Sequence, residues 1–344
     1  MCSVMMSYNT IISYECLFEC WYEYRQGKSK RRDIQVFERH LERHIFQLHD
    51  DLKTGAYQHG GYESFYTHDP KYRHIQKPTV VDRLVHHAVY KALYPRLDRG
   101  FIDQSYASRV GKGVHASIRN LRRMMWQVGR NNTRPVYALK CDIKQFFATV
   151  NQGILIQLLA KKVKNKRLMA LVRMIITSYK GASEATGMPI GTVTAQLFAN
   201  VYLNALDQFV KRDLKQRYYM RYMDDFIILS DNRDAFAAIL RAIATFLDRQ
   251  LDMQLHPDKI IIQSDRTGID WLGYNHLPYH TVLRTSTKQR MIRRCNDSWH
   301  REPDKQYQML QSYLGILSHA NQFRLSCDIQ NLVYGNMMAY KTSD

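Results

Sequence analysis

Tyr218-Tyr219-Met220-Arg221-Tyr222-Met223-Asp224-Asp225-Phe226-Ile227-Ile228-Leu229 sets two adjacent acids inside a run that otherwise reads as a hairpin of buried strands. Acids at such a tip are costly unless they are solvated or hold a cation. The plain alternative is an Asp-rich β-turn. Working outward, the strands are expected at 218–223 and 226–230, with both aspartates between them. Thr192–Arg212 reads as a long helix after a Pro-Ile-Gly turn, and 232–251 as a helix on the other side. Further upstream, the apolar run Val136–Cys141 reads as a strand that delivers Asp142, followed by Ile143-Lys144-Gln145-Phe146-Phe147. Helices fill 151–178, and strands are expected near 259–263 and 269–274. The middle of the chain, roughly 136–263, is therefore α+β, built on a small antiparallel sheet.

The flanks are simpler. Residues 9–53 read as two helices separated by the basic turn 26–32, residues 55–76 as a Gly- and Tyr-rich hairpin, and 80–97 and 114–129 as helices. The tail beyond 284 is basic and mostly helical. Lys and Arg number 50 against 31 Asp and Glu, for a net charge of +19 spread along all 344 residues. A polyanionic partner accounts for that self-repulsion, and nucleic acid fits better than a membrane, because no segment reads as a surface anchor. A gain in solubility alone is the bland alternative. The start lacks a basic segment followed by an apolar run, and no 18 apolar residues stand together, so neither a signal peptide nor a membrane span is expected. The six cysteines, Cys2, Cys16, Cys20, Cys141, Cys295 and Cys327, form no C-x-x-C pair. Reduced thiols in a cytoplasmic protein are expected, with Cys16 and Cys20 sharing a helix face rather than a zinc ion.

One acid at the end of one strand and a pair on a neighbouring hairpin can converge on one spot. Phosphoryl transfer uses such an arrangement: two divalent cations about 3.5–4 Å apart activate the attacking 3′-oxygen and stabilise leaving pyrophosphate. Mg²⁺ takes oxygen ligands and keeps waters and phosphates in its shell, so few carboxylates suffice.

Tyr-x-Asp-Asp on a hairpin, preceded by an Asp followed by Phe-Phe, resembles the palm of reverse transcriptases of the group II intron-like lineage. Other blocks stand in the family's order. They are Ser105-Tyr106-Ala107-Ser108-Arg109-Val110-Gly111-Lys112-Gly113, Pro189-Ile190-Gly191-Thr192-Val193-Thr194-Ala195-Gln196, Leu255-His256-Pro257-Asp258-Lys259 and Trp271-Leu272-Gly273-Tyr274. The resemblance runs over roughly 60–335. It implies a right-hand polymerase fold: an N-terminal helical extension over 1–60, fingers over 61–135, palm over 136–283 and a helical thumb over 284–344.

The resemblance also implies roles. Asp142 and Asp224 are the metal ligands, with the Ile143 carbonyl beside them and Asp225 a structural neighbour. The ions are two Mg²⁺, for which Mn²⁺ can substitute. Phe147 is a steric gate against the 2′-hydroxyl, and Lys259 a general acid toward pyrophosphate. Lys71 and Arg73 grip the dNTP triphosphate. Ile190, Gly191 and Gln196 meet the incoming nucleotide and template. Arg83, Arg109, Lys112, Tyr222 and Met223 are expected along the nucleic acid, with pairing to its neighbour as the alternative for Arg83. In the thumb, Lys288, Arg290, Arg293 and Arg294 are expected along the RNA–DNA hybrid.

Most relatives carry Gln-Gly-x-x-x-Ser-Pro where this chain has Ile190-Gly191-Thr192-Val193-Thr194-Ala195-Gln196. The aliphatic residue and the closing Gln are most similar to the enzymes of diversity-generating retroelements, which copy a template RNA with errors opposite adenine. Ala195 departs from the Ser usual even there. A small basic accessory protein and a structured template RNA are the partners this implies. At this length no RNase H, endonuclease or maturase module is expected. Two rivals stand beside this reading: a retron-type or phage-defence reverse transcriptase, and a non-catalytic RNA-binding protein that keeps the fold.

Overall fold

A computed structural model describes residues 7–67, 72–181 and 183–341, without the side chains of Arg73, Ala339 and Lys341. Four helices open it where two were expected: Tyr8–Ile12, Tyr14–Arg25, Arg32–Glu38 and Leu41–Thr54. Ser13 makes the first break. Its backbone is extended, and its hydroxyl accepts from Cys16 N–H to start the next helix. Gly55, at φ +83, ends the fourth. Cys16, Cys20 and Trp21 are buried in the main core, where Tyr14–Arg25 lies on the helix Val80–Asp98.

Between these helices stands the expected hairpin, β1 (Tyr62–Thr67) against β2 (Arg73–Pro78), with Tyr66 opposite His74. The central sheet holds β3 (Tyr137–Asp142), β4 (Tyr219–Tyr222), β5 (Asp225–Ser230) and β6 (Ile261–Ser264), in the order β4-β5-β3-β6 and antiparallel throughout. The near-continuous apolar character of β3 and β5 follows from burial on both faces. Leu139, Cys141, Tyr219, Phe226 and Ile228 join the core shared with helices Val193–Gln208 and Ala235–Leu251. Ala138, Met220, Ile227 and Leu229 face helix Val114–Val128 and Trp271 on the other side.

Two expectations change. Asp225 belongs to β5, opposite Asp142, so the hairpin turn is Met223-Asp224 alone. The strand expected over 269–274 is broken by Leu272 and Gly273, both at positive φ. A second sheet results, β7 (Ile269–Trp271), β8 (Tyr274–His276) and β9 (Thr281–Leu283).

The helices Thr285–Asn296, Pro303–Leu317 and Phe323–Lys341 close the chain around a core of their own, with Met291, Cys295, Leu310, Ile329 and Val333 buried. This bundle is fastened to the second sheet: Tyr274 donates its hydroxyl to the Ile316 carbonyl at 2.9 Å, and Asn321 N–H donates to the Thr281 carbonyl at 2.7 Å. Among the described residues no helix is long and apolar enough to cross a membrane.

Candidate active site

β3 and β5 end together with Asp142 and Asp225 as direct register partners, and the Met223-Asp224 turn closes beside them. Met223 sits at φ +57, a region that side chains rarely adopt. Burial above all, together with the Asp142 and Asp224 charges, pushes the Asp225 carboxyl up to about 6, against the pull of Lys140 and Lys259. Asp142, Asp224 and Asp225, gathered at the ends of two paired strands, offer carboxylate oxygens of the kind that cations take. Among the described residues, no three His, Cys, Asp or Glu side chains are grouped so that they could hold a metal ion by themselves. An ion held here would complete its shell with waters and substrate oxygens, as Mg²⁺-type ions do.

Lys259 arrives by a backbone stitch. Ile143 pairs with Leu255, Lys144 N–H donates to the Gln254 carbonyl at 2.9 Å, and His256 N–H donates to the Asp142 carbonyl at 2.8 Å. The turn Pro257–Lys259 then presents the amine, which lies 3.0 Å from Asp142 Oδ2. Ile143 itself is buried. Phe146 is core, while Phe147 is half-buried one residue later, its ring edge-on to Phe146 at 5.2 Å.

Gly187 N–H and Met188 N–H donate to the carbonyls of Val150 and Phe147, both at 2.8 Å, which carries Pro189-Ile190-Gly191 to the side of Phe147. Gly191 is at φ +106 with Ile75 of the hairpin close by, so a side chain there is strained. Gln196 lies half-buried in the first turn of Val193–Gln208. A cleft of about 410 Å³ opens here, between Ile190 and Gly191, Phe65 and Lys77 of the hairpin, and Tyr24 and Arg31 of the N-terminal helices.

Several residues expected on nucleic acid are committed elsewhere. Arg83 pairs neither with its neighbour nor with open solvent: its guanidinium meets Asp33 and the Tyr24 hydroxyl, both at 2.6 Å. Arg109 clamps its own loop through Asp98 Oδ1 at 2.6 Å and the carbonyls of Ile102 and Ser105 at 2.7 and 2.9 Å, and is almost fully buried. Lys112 is held on Asp103. For Arg109 the partners include the carbonyls of its own loop, which the guanidinium satisfies. Tyr222 and Met223 are half-buried, packed against the two cores that flank the sheet. Lys288 and Arg293 are exposed on Thr285–Asn296, with Arg290 and Arg294 partly covered. Lys71 and the Arg73 side chain lie outside the described residues.

Two networks had no part in the sequence reading. Arg221 and Asp207 form a fully buried ion pair at 2.7 Å beneath the hairpin. The available signal was an Arg that β4's alternation turns into the core, and an Asp within an apolar helix face. The second is a chain of imidazoles. His59 Nδ1 donates to the Gly60 carbonyl at 2.7 Å, which leaves its Nε2 to accept from His86 Nε2–H at 3.0 Å. His86 Nδ1 then accepts the Thr194 hydroxyl at 2.7 Å, at the start of the helix that follows Ile190-Gly191. Burial holds the His86 imidazole down to about 3, so it is neutral.

Comparison with known proteins agrees with this geometry. The chain matches the family model described as Reverse transcriptase (RNA-dependent DNA polymerase) over residues 67–276, more than half its length. It is similar to protein YkfC of Escherichia coli (strain K12), 26% identical over 268 residues, which cover 66% of this chain and 69% of that protein. The group II intron-encoded protein LtrA of Lactococcus lactis subsp. cremoris is 25% identical over 305 residues, covering 68% of this chain and 50% of LtrA, so the chain spans about half of that relative. Among solved structures, telomerase from Candida albicans with a fragment of telomeric RNA superposes with a TM-score of 0.53 at 11% identity, covering 84% of this chain and 62% of that one. Apo telomerase from Candida tropicalis gives 0.53 at 14%, covering 83% and 58%. At such identities these likenesses speak for the fold, that of a right-hand polymerase. With its acids at the paired ends of β3 and β5 and the family model laid across both strands, the chain belongs to the reverse transcriptase (RNA-dependent DNA polymerase) family.

Proposed function

We propose that the protein is the RNA-directed DNA polymerase of a diversity-generating retroelement, making error-prone cDNA from a template-repeat RNA. The observation that carries the polymerase reading is the pairing of Asp142 with Asp225 beside the Asp224 turn, with Lys259 on Asp142. Asp142 and Asp224 would hold two Mg²⁺ ions, or Mn²⁺ in their place, whose chemistry would be to activate the primer 3′-oxygen and stabilise leaving pyrophosphate. Asp225 stays behind them as a half-buried neighbour. Lys259 keeps a proton at the Asp142 edge of the site, positioned to pass it to the departing pyrophosphate. Phe147 floors the sugar pocket, Lys71 and Arg73 bind the triphosphate, and the β1–β2 hairpin belongs to the fingers. The central sheet is the palm, and the closing helices are the thumb along the RNA–DNA hybrid.

The subclass rests on Ile190. It lies half-buried where Gln is usual in the family, and its side chain offers the nascent pair no hydrogen bond. A structured template RNA and a small basic accessory protein complete the working complex in the cytoplasm.

The experiment is extension of a primed RNA template with dNTPs and Mg²⁺, alongside Asp224→Asn, with the products sequenced. The variant should lose extension on the order of a thousandfold, as expected when transition-state charge loses its counter-ion. Wild-type errors should concentrate at template adenines. Uniform fidelity supports the retron or defence rival instead. No extension, even with the native RNA and the accessory protein added, returns the non-catalytic reading.

A further inference from the structure

The turn that carries Asp224 is too short to hold itself. It has two residues, and the first, Met223, stands at a backbone angle that costs energy for any side chain. Something must determine that conformation, and the structure places one group in position to do so. Arg221 lies one residue before Tyr222, on the face of β4 that points into the core with Tyr219. It is completely buried.

All five guanidinium N–H groups find acceptors. Nε donates to Asp207 Oδ1 at 2.8 Å and Nη2 to Asp207 Oδ2 at 2.7 Å, a two-toothed pair. Nη2 also donates to Ser105 Oγ at 3.1 Å, and Nη1 to Asn200 Oδ1 at 3.3 Å. The remaining bond, from Nη1, goes to the Met223 carbonyl at 2.9 Å. That carbonyl belongs to the peptide that links Met223 to Asp224.

The acceptors are themselves fixed. Asn200 and Asp207 stand two turns apart on one face of Val193–Gln208. Tyr219 donates its hydroxyl to Asp207 Oδ1 at 2.6 Å, and Asn200 donates to the Ala107 carbonyl at 2.9 Å. The backbone of Arg221 is clamped as well, with its N–H on the Gln104 carbonyl and its own carbonyl on Tyr106 N–H, both at 3.0 Å. A buried ion pair of this kind contributes little net stability compared with an apolar replacement, so stability alone is a weak reason for its presence. Its geometric effect is specific: it ties the catalytic turn to the long helix and to the loop 104–107.

We propose that Arg221 is the positioning residue of the active site, holding the Met223 carbonyl so that the turn presents the Asp224 carboxylate on the same side as Asp142 for metal binding. The proposal rests on the reading of Asp224 as a metal ligand. Arg221 touches no reacting atom. It acts through the turn.

The test uses the full chain and two variants. Tyr219→Phe/Asp207→Leu/Arg221→Met replaces the buried polar cluster with apolar groups and leaves no charge stranded. Arg221→Lys keeps the charge opposite Asp207 but has three donors in place of five and no planar fork. Mn²⁺ binding is measured by electron paramagnetic resonance without nucleic acid, with Asp224→Asn marking the site's own signal, and thermal unfolding reports the fold. On a primed RNA template, kcat and the dNTP KM are then read separately.

In the triple variant, cooperative unfolding near the wild-type temperature is expected, with Asp224-dependent Mn²⁺ affinity at least tenfold weaker and kcat at least a hundredfold lower at a KM within about twofold. Arg221→Lys should fall between the two and decides the matter if the triple variant does not fold. A folded variant, triple or Lys, with wild-type Mn²⁺ binding and kcat overturns the role of Arg221 alone. A wild-type protein with no Asp224-dependent Mn²⁺ signal overturns the metal-site reading itself, and the proposal with it, and that result differs from an unchanged variant.

Discussion

Phe147 and Ile190 stand on either side of the same backbone contact, where Met188 N–H meets the Phe147 carbonyl, and each is expected to select by shape rather than by charge. A half-buried ring beside the sugar excludes by volume, so Phe147→Ala should admit ribonucleotides. The expected gain is roughly 10–200-fold in the ribo/deoxy ratio of kcat/KM, the range in which apolar pockets discriminate. Single-nucleotide incorporation of GTP against dGTP on an RNA template measures it, and an unchanged ratio removes Phe147 as the gate. Ile190→Gln restores a side chain able to hydrogen-bond the nascent pair. Misincorporation opposite template adenine should fall about tenfold, one good hydrogen bond's worth, with synthesis opposite other bases largely unaltered. Sequenced cDNA decides it, and constant error at adenine breaks the link to this position. At this scale the acids were legible because Asp is a poor resident of an apolar strand, whereas Arg221 was hidden because its partner Asp207 is remote in the pairing pattern and only burial joins them.

Among the elements, the second sheet fastens the closing helices to the rest of the molecule, since β8 and β9 carry hydrogen bonds to that bundle. His276 of β8 is fully buried, and its Nδ1 faces Thr281 Oγ1 at 3.1 Å. Burial first, with the Arg122 charge adding to it, holds its imidazole down to about 4. The folded protein therefore binds fewer protons here than the unfolded chain between pH 6.5 and about 4, and stability falls as pH drops through that window. The contribution is present in full above pH 6.5, and its loss at the acid end is on the order of 3 kcal/mol. Denaturant midpoints followed from pH 7 to 4 should decline in the wild type and decline less in His276→Asn. Parallel slopes in the two proteins rule out His276 as the source. This sheet was half-read from sequence. Its strands have three residues each, too short to show alternation, and the turn at Leu272 needs a positive φ that Leu does not advertise.

Across the whole molecule, a charge of +19 predicts binding to nucleic acid that weakens steeply with salt. Neutralising the exposed Lys288 and Arg293 to Gln should lower the magnitude of the log–log salt slope by about 1 for each phosphate they no longer neutralise, while leaving sequence preference untouched. Salt-titrated binding to an RNA–DNA hybrid measures this, and an unchanged slope takes the helix Thr285–Asn296 off the hybrid. Arg83 and Arg109 carry formal charge too, yet their partners Asp33 and Asp98 hold their largely buried guanidinium groups within the protein, so their removal should act on folding rather than on the slope.

Local pattern was enough for the central frame. Apolar strands flank acids at fixed spacing, a helix follows Pro189-Ile190-Gly191, and a basic helical end closes the chain, because periodicity and composition are properties of short windows. Tertiary packing was needed to tell which charges face solvent and which satisfy buried carbonyls, to put Asp225 within β5 rather than in the turn, and to bond one Arg to the peptide before Asp224. Those outcomes depend on which segments pack together far along the chain, as Asp142 does with Asp225 and Ser105 with Arg221, and no short window contains both ends of such a contact.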